Sequence, residues 1–407
     1  MGRAKQWMIE QQERGYSEAD GDICPDCVSD NALAYWIRAN ASATACSFCG
    51  SDADEPIAAS FDEFIGVVLD GISFDWNDPD DEGISYVSAE GGYMAPIAQT
   101  WEVLAGYEIS ENDAVTDALL AAIDIEAWVE REYYRGNDSQ RLTWGWESFK
   151  EFTKNQTRYF FLQHHKNQYD DDLSPSEMLG AIEGIIKSQL ADHGLIRPIK
   201  ASVDLIRIRI DSVAHKTATA LGTPKSEFAR QSNRMSPAGI PMFYGAFDVP
   251  TALAETFDPA IHVYQLMSIG TFRPLRELNV LDLAELPPIP SVFDADGREL
   301  IHPLRFLHSF ANDISQPIAR DGHEHIEYVP TQIVTEYFRR IFRTKNDLPL
   351  DGIVYRSSRN PDGRAFVLFC ENQQCVDPND SPDRGGLLQL VGVTHELCEA
   401  ANSGTSV

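Results

Sequence analysis

The chain has 407 residues, 43% hydrophobic and 24% charged, enough for two or three packed domains and far from the composition of a disordered chain. Lys and Arg total 33 against 63 Asp and Glu, a formal net charge of -30, and that field repels a nucleic-acid backbone or an anionic bilayer. No run approaches the ~18 apolar residues of a membrane span, and Met1-Gly-Arg-Ala-Lys-Gln-Trp7 lacks the apolar stretch of a secretory signal, so a soluble, cytoplasmic protein without membrane or nucleic-acid partners is expected.

In chain order, residues 1–50 form a unit around two Cys-x-x-Cys pairs, Cys24/Cys27 and Cys46/Cys49, separated by eighteen residues. In a reducing compartment this spacing is better explained by metal than by disulfides. Pro25 and Gly50 favour tight turns that place four thiolates tetrahedrally around one Zn²⁺. Four thiolates leave no open coordination position, so the expected role is structural. Cys370, Cys375 and Cys398 are scattered near the other end.

Residues 51–100 carry twelve Asp or Glu and no Lys or Arg. Phe64, Ile65, Val67, Val68 and Leu69 recur among the acids, which predicts an amphipathic helix with a solvated acidic face. Segments 112–134 and 145–165 also have helical spacing, so 51–190 reads as a mainly helical domain. All seven tryptophans precede residue 147, so the two halves have differently built cores.

From about residue 200 the pattern changes. Strand composition marks 205–210, 240–247, 262–269, 278–283, 352–357 and 364–369, with helices at 249–257, 300–313 and 330–343. Antiparallel-looking strands with interspersed helices make this half an α+β domain. Its limits are set at 195–395, and 396–407 is expected to be a flexible tail.

Three pieces of this half carry candidate chemistry. In Asp204-Leu-Ile-Arg207-Ile-Arg209-Ile210, alternation puts Ile206, Ile208 and Ile210 on one face and both arginines on the other. Side-by-side guanidiniums repel unless an anion lies between them, and their forks match a diphosphate; a plain solvated strand face is the simpler reading. Arg234-Met-Ser-Pro-Ala-Gly-Ile-Pro-Met-Phe-Tyr244 leads to Asp248, which can cap a helix whose second turn presents Glu255. Further on, Asp351-Gly-Ile-Val-Tyr-Arg-Ser357-Ser358-Arg359 ends a strand in hydroxyls and guanidiniums.

Taken together these residues resemble the RES-domain family, named for its Arg, Glu and Ser. The resemblance covers about 195–395: Arg234 to Tyr244 is ten residues, Tyr244 to Glu255 eleven, and Ser357 follows on a late strand, with Tyr328-Val-Pro-Thr-Gln332 also matching. The front portion is similar to the HEPN/RES N-terminal domain. The resemblance implies an ADP-ribosyltransferase-like fold and a cytoplasmic toxin that destroys NAD⁺ by hydrolysis or phosphorolysis of the nicotinamide N-glycosidic bond, with inorganic phosphate as a co-substrate in the second case. By motif position, Arg207, Arg209 and Arg234 would hold NAD⁺, with Arg207 and Arg209 undecided between them. Tyr244 would stack on the nicotinamide or its ribose, Glu255 would steady the ribosyl cation, and Ser357 would orient the nicotinamide end. An antitoxin or immunity protein, a homo-oligomer, and transfer to a protein acceptor stay open.

Two readings of other classes compete. Arg158-Tyr-Phe-Phe-Leu-Gln-His164-His165 fits the Arg-to-His spacing of a HEPN ribonuclease, if it lies on one helix with the imidazole as acid or base; an amphipathic helix packing Phe160 and Phe161 is the simpler account. The third is a nucleotide-binding interaction protein without turnover.

Overall fold

The computed structural model describes residues 14–89, 91–160, 173–230, 232–259, 261–262, 265–316, 323–380 and 385–398. The chain divides into two compact units: one runs to Arg141 and takes in Pro288–Arg305, the other comprises Leu142–Pro287 and the chain from Phe306.

In the first unit, β1 (Asp22–Ile23) pairs antiparallel with β2 (Ala59–Ser60), closing the stretch that holds the cysteines. Asp30 caps the Asn31–Ala39 helix, accepting from the amides of Ala32 and Leu33 at 2.8 and 3.0 Å. The helix read from the acidic region is Phe61–Ile72. It buries Phe61, Phe64, Ile65, Val68 and Ile72 and turns Glu63 and Asp70 to solvent, as its spacing requires.

The helical spacing of 112–134 holds only over Asp113–Ala122. Residues Ala127–Glu130 form a strand, β7, between β3 (Trp76–Asn77) and β6 (Ala98–Gln99); β4 (Tyr86–Val87) and β5 (Gly92–Tyr93) make a separate hairpin. Trp128 and Val129 are both buried there, and the Trp128 indole donates to Thr100 Oγ1 at 3.0 Å. Aromatic and β-branched residues packing on a ladder outweigh the local helical period.

Residues 288–305, sequence neighbours of the α+β half, pack within this first unit. Phe293 meets Tyr107 edge-on at 5.7 Å between ring centroids. Arg298 pairs with Asp70 at 2.7 Å, and Arg305 grips both oxygens of Asp75 at 2.8 and 2.9 Å.

The second unit is built on a nine-stranded sheet in the order β15-β16-β11-β9-β10-β14-β13-β12-β8. Its strands are β8 (Ile196–Ile199), β9 (Leu205–Asp211), β10 (Phe243–Ala246), β11 (Leu266–Pro274), β12 (Leu278–Asp282), β13 (Gly352–Arg356), β14 (Arg364–Leu368), β15 (Cys375–Val376) and β16 (Leu388–Leu397). Pairing is antiparallel except for β12 with β13 and β15 with β16. The six expected strands and the helices Val249–Thr256, Ile301–Ser315 and Val329–Arg340 are all present within a few residues of their expected ends. Three strands of this sheet escaped the sequence reading: β8, the two-residue β15 and β16. β8 has Pro198 in its middle, which an edge position tolerates, and β16 runs through 396–397, where a tail was expected. Residues 399–407 lie outside the described residues.

The 145–165 helix is Asp138–Asn155. Arg158 therefore lies beyond its end, and Phe160 is 91% exposed rather than packed; Phe161, His164 and His165 lie outside the described residues. Among the described residues, no helix is long and apolar enough to cross a membrane.

One glycine tests the packing of the first unit. A Cβ on Gly71 would stand 2.2 Å from Phe293 Cδ1. Alanine normally stabilises a helix interior relative to glycine by about 1 kcal/mol. Here Gly71→Ala is expected to destabilise by about 1–3 kcal/mol through overpacking, measured as a drop in the urea midpoint; a rise would show that Phe293 is not seated there.

Candidate active site and metal centre

The four expected cysteines come together. Cys24 and Cys27 bracket a 3₁₀ turn started by Pro25, and Gly50 takes φ +72°, a left-handed position suited to glycine, to close the second turn on the Cys46 carbonyl. The sulfurs of Cys24 and Cys27 are 3.8 Å apart, Cys24 and Cys49 3.6 Å, Cys27 and Cys46 3.7 Å, and all four lie within 4.8 Å of one another. A tetrahedron with Zn–S bonds of about 2.3 Å has sulfur–sulfur edges near 3.8 Å. The set therefore fits zinc. The Cys24 amide approaches Cys46 Sγ at 3.4 Å and the Asn112 amide approaches Cys27 Sγ at 3.9 Å, donors that would help neutralise thiolate charge. With no open position left, the site can fasten 22–60 but not activate water.

The chemistry-bearing residues of the second unit converge elsewhere, on a cleft of about 1240 Å³. Arg207, Arg234, Tyr244, Glu255 and Tyr355 all line it.

Arg207 is placed by a defect in the sheet. β9 and β10 are paired only at Ala246 and Ile206, and the Arg207 guanidinium occupies the gap beside them, donating Nη1 to the Tyr244 carbonyl at 2.5 Å and Nε to Leu221 O at 2.9 Å. Its charge sits 5.1 Å from the Phe243 ring centroid, a cation–π contact. Burial, with Arg209 adding repulsion, pushes its pKa down to about 10, so it remains a cation at neutral pH. Arg209 shares its strand face but turns outward, to Ala220 O at 2.8 Å and Asp211 at 3.7 Å, and is not among the cleft-lining residues.

Arg234 stands on the loop before β10, clamped from two helices. Its guanidinium donates to Ile314 O at 2.6 Å, Thr331 Oγ1 donates to its carbonyl, and the Gln332 amide donates to Asn233 O at 2.8 Å. Thr331 and Gln332 give the 328–332 segment its physical part: they fix the arginine loop. Tyr244 rises from β10 and shares a hydrogen bond with Ser236 Oγ at 2.9 Å; burial pushes its pKa up to about 12, so the phenol stays neutral.

Glu255 is carried by the Val249–Thr256 helix. Asp248 caps that helix, accepting from the Thr251 amide at 2.7 Å and the Thr251 hydroxyl at 2.8 Å, a cap worth about 1 kcal/mol. About two turns on, Glu255 Oε1 accepts from Ser357 Oγ at 2.5 Å. Ser357, just past β13, is itself buried and accepts from the amides of Asn360 at 3.1 Å and Arg359 at 3.3 Å. Both hydroxyl acceptor positions are thus engaged and its proton is directed at the carboxylate.

The chain carries a RES domain behind a HEPN/RES N-terminal domain. Residues 205–388 match the family model of the RES domain, and residues 39–167 match that of HEPN/RES N-terminal domain 1. No curated protein and no solved structure matches the chain. The α+β architecture expected for the second half is what the sheet and its helices display.

Several cleft residues were given no individual role in the sequence reading. Tyr355 is buried and lines the cleft; burial, then the charge of Glu255, raises its pKa. The signal existed, since strand alternation puts it on the side from which Ser357 follows two residues later. Ser236 and Arg359 also line the cleft or its rim, and Arg359 donates weakly to the carbonyls of Ala254 and Phe257 at the end of the Glu255 helix. Nothing in the linear sequence ties Arg359 to that helix end.

The metal centre is open to a direct check. The purified chain is expected to carry one zinc per molecule by elemental analysis. Cys24→Ser or Cys46→Ser should abolish that stoichiometry and expose 22–60 to proteolysis; retention of full zinc by both variants would exclude the four-thiolate site.

Proposed function

We propose that the RES half cleaves the nicotinamide N-glycosidic bond of NAD⁺, as a glycohydrolase or a phosphorylase, and so depletes the dinucleotide as a cytoplasmic toxin or defence effector with a neutralising partner. The RES-domain match supports an NAD-utilising enzyme. The observation that carries the finer reading is the 2.5 Å hydrogen bond from Ser357 to Glu255, at a cleft that also gathers Arg207, Arg234 and Tyr244.

In this proposal Arg207 and Arg234 face the diphosphate, and Arg209, directed to Asp211, does not. Tyr244, a neutral aromatic, packs on the nicotinamide or its ribose. The bond from ribose C1′ to the pyridinium nitrogen breaks with its electron pair leaving on nitrogen. The cationic ring thereby departs as neutral nicotinamide, so no strong acid is needed. Positive charge grows on the ribose, and the Glu255 carboxylate, oriented by Ser357, stabilises it more in the transition state than in the ground state. Water or inorganic phosphate then bonds to C1′ through oxygen, and in the case of water the extra proton passes to bulk solvent. The proposed domain limits are 1–50 for the zinc module, 51–190 for the helical domain and 195–395 for the RES domain.

Nicotinamide release from NAD⁺ by the purified full-length chain, with and without inorganic phosphate, tests this. Glu255→Gln, which keeps the hydrogen bond but removes the charge, is expected to lower the rate at least about 100-fold, the scale of losing one electrostatic stabiliser. Ser357→Ala should lower it less. If the native chain leaves NAD⁺ intact under both conditions, the catalytic reading fails and a nucleotide-binding role without turnover replaces it.

A further inference from the structure

The second unit has another cavity, of about 400 Å³, lined by Arg339, Arg340, Glu371, Gln373 and Gln374 among others, and sharing no residue with the cleft. Arg339 and Arg340 occupy the last turn of the Val329–Arg340 helix, where the carbonyl dipoles favour cations. That accounts for their charge but not for the burial of the Arg339 side chain. The Arg339 side chain is only 8% exposed, and its ion pair with Glu371, Nη2 to Oε1, is 3.9 Å long, beyond hydrogen-bond reach. Its Nη1 is buried with no hydrogen-bond partner among the described residues. A buried charged donor left unpaired is costly, and water, an ion or a ligand group can satisfy it.

The other groups facing this cavity include both acceptors and donors. Glu371 is partly committed, since its Oε2 accepts from the Gln373 amide at 2.9 Å. Gln374 uses its carbonyl oxygen for the Glu371 amide at 2.8 Å, which leaves its NH₂ end as a donor. Two guanidiniums and one carboxylate line the cavity, with Glu336 a further acidic neighbour of Arg339, in a chain whose net charge is -30. The volume lies in the range of small-molecule pockets. Donors on three different side chains suit a tetrahedral anion better than the flat two-oxygen edge of a carboxylate, which a single arginine fork already matches.

We propose that this pocket is a second anion site, separate from the cleft, which binds the phosphate group of a small molecule through Arg339, Arg340 and Gln374. The proposal stands whether or not the cleft turns over NAD⁺.

Titration calorimetry of the full-length chain with inorganic phosphate tests it. Arg340 is exposed, so Arg340→Gln should fold normally; it is expected to weaken one phosphate-binding event by about tenfold or more and to leave any nicotinamide release unchanged. Arg339→Gln should do the same where it folds. Arg234→Gln, in the cleft, should spare that event. Tungstate soaked into crystals should appear at Arg339 by anomalous scattering. The proposal is overturned if the native chain binds no phosphate at millimolar concentration, if Arg340→Gln binds as the native chain does, if Arg234→Gln removes all binding, or if acetate competes as well as phosphate.

Discussion

The geometry of the cleft depends on where one hydroxyl proton points. Ser357 accepts from two backbone amides of the loop that follows it, and an alcohol so engaged has only its proton left to give. That proton goes to Glu255, joining the end of β13 to the second turn of a helix 102 residues earlier in the chain. The same loop is held from its other side: Asn360 donates to Thr251 Oγ1 at 2.8 Å, and Thr251 in turn is bound to the capping Asp248. A Cβ on Gly363 would stand 2.3 Å from that Thr251 hydroxyl, so the loop closes this tightly only because residue 363 has no side chain. The carboxylate is therefore positioned before any ligand arrives, the condition under which electrostatic stabilisation is most effective.

The arginines show how an acidic chain can hold cations for an anionic ligand. Arg207 is supported by carbonyls and an aromatic face rather than by carboxylates, and Arg234 likewise donates to a carbonyl, that of Ile314. Neutral acceptors orient a guanidinium without cancelling its charge. Arg276, in the same unit, is instead neutralised: it grips Asp351 with two hydrogen bonds, at 2.6 and 2.8 Å.

The first unit solves a different problem. Residues 22–60 contain one nine-residue helix and little else that is regular, and their four clustered cysteines could hold a metal that would give such a segment a fixed core. Behind it, the Phe61–Ile72 helix takes its acidic face to water, while Asp70 and Asp75 reach the arginines of 288–305. A stretch of twelve acids without a base thus has part of its charge balanced by residues more than 200 positions away.

How much of this was legible in the linear order follows from the range of each interaction. Strand alternation, the cap at Asp248 and the two Cys-x-x-Cys turns are local, so the positions of Ile206, Ile208 and Val249–Thr256 and the cysteine cluster could be read directly. The motif spacing also brought Arg234, Tyr244, Glu255 and Ser357 to one place in the reading, and the structure seats Arg234, Tyr244 and Glu255 along one cleft with Ser357 bonded to Glu255. Other features required the tertiary structure. Arg207 and Arg209 are equivalent by alternation, and only the single-point pairing of β9 with β10 decides that Arg207 turns into the cleft. The 127–130 strand replaced a helix because Trp128 found a buried partner in Thr100, and 288–305 joined the first unit because its cations match Asp70 and Asp75. Period and capping act over one or two turns of chain and are written in neighbouring residues; the direction of a side chain at a strand gap, or the partner of a distant charge, depends on surfaces that exist only after folding.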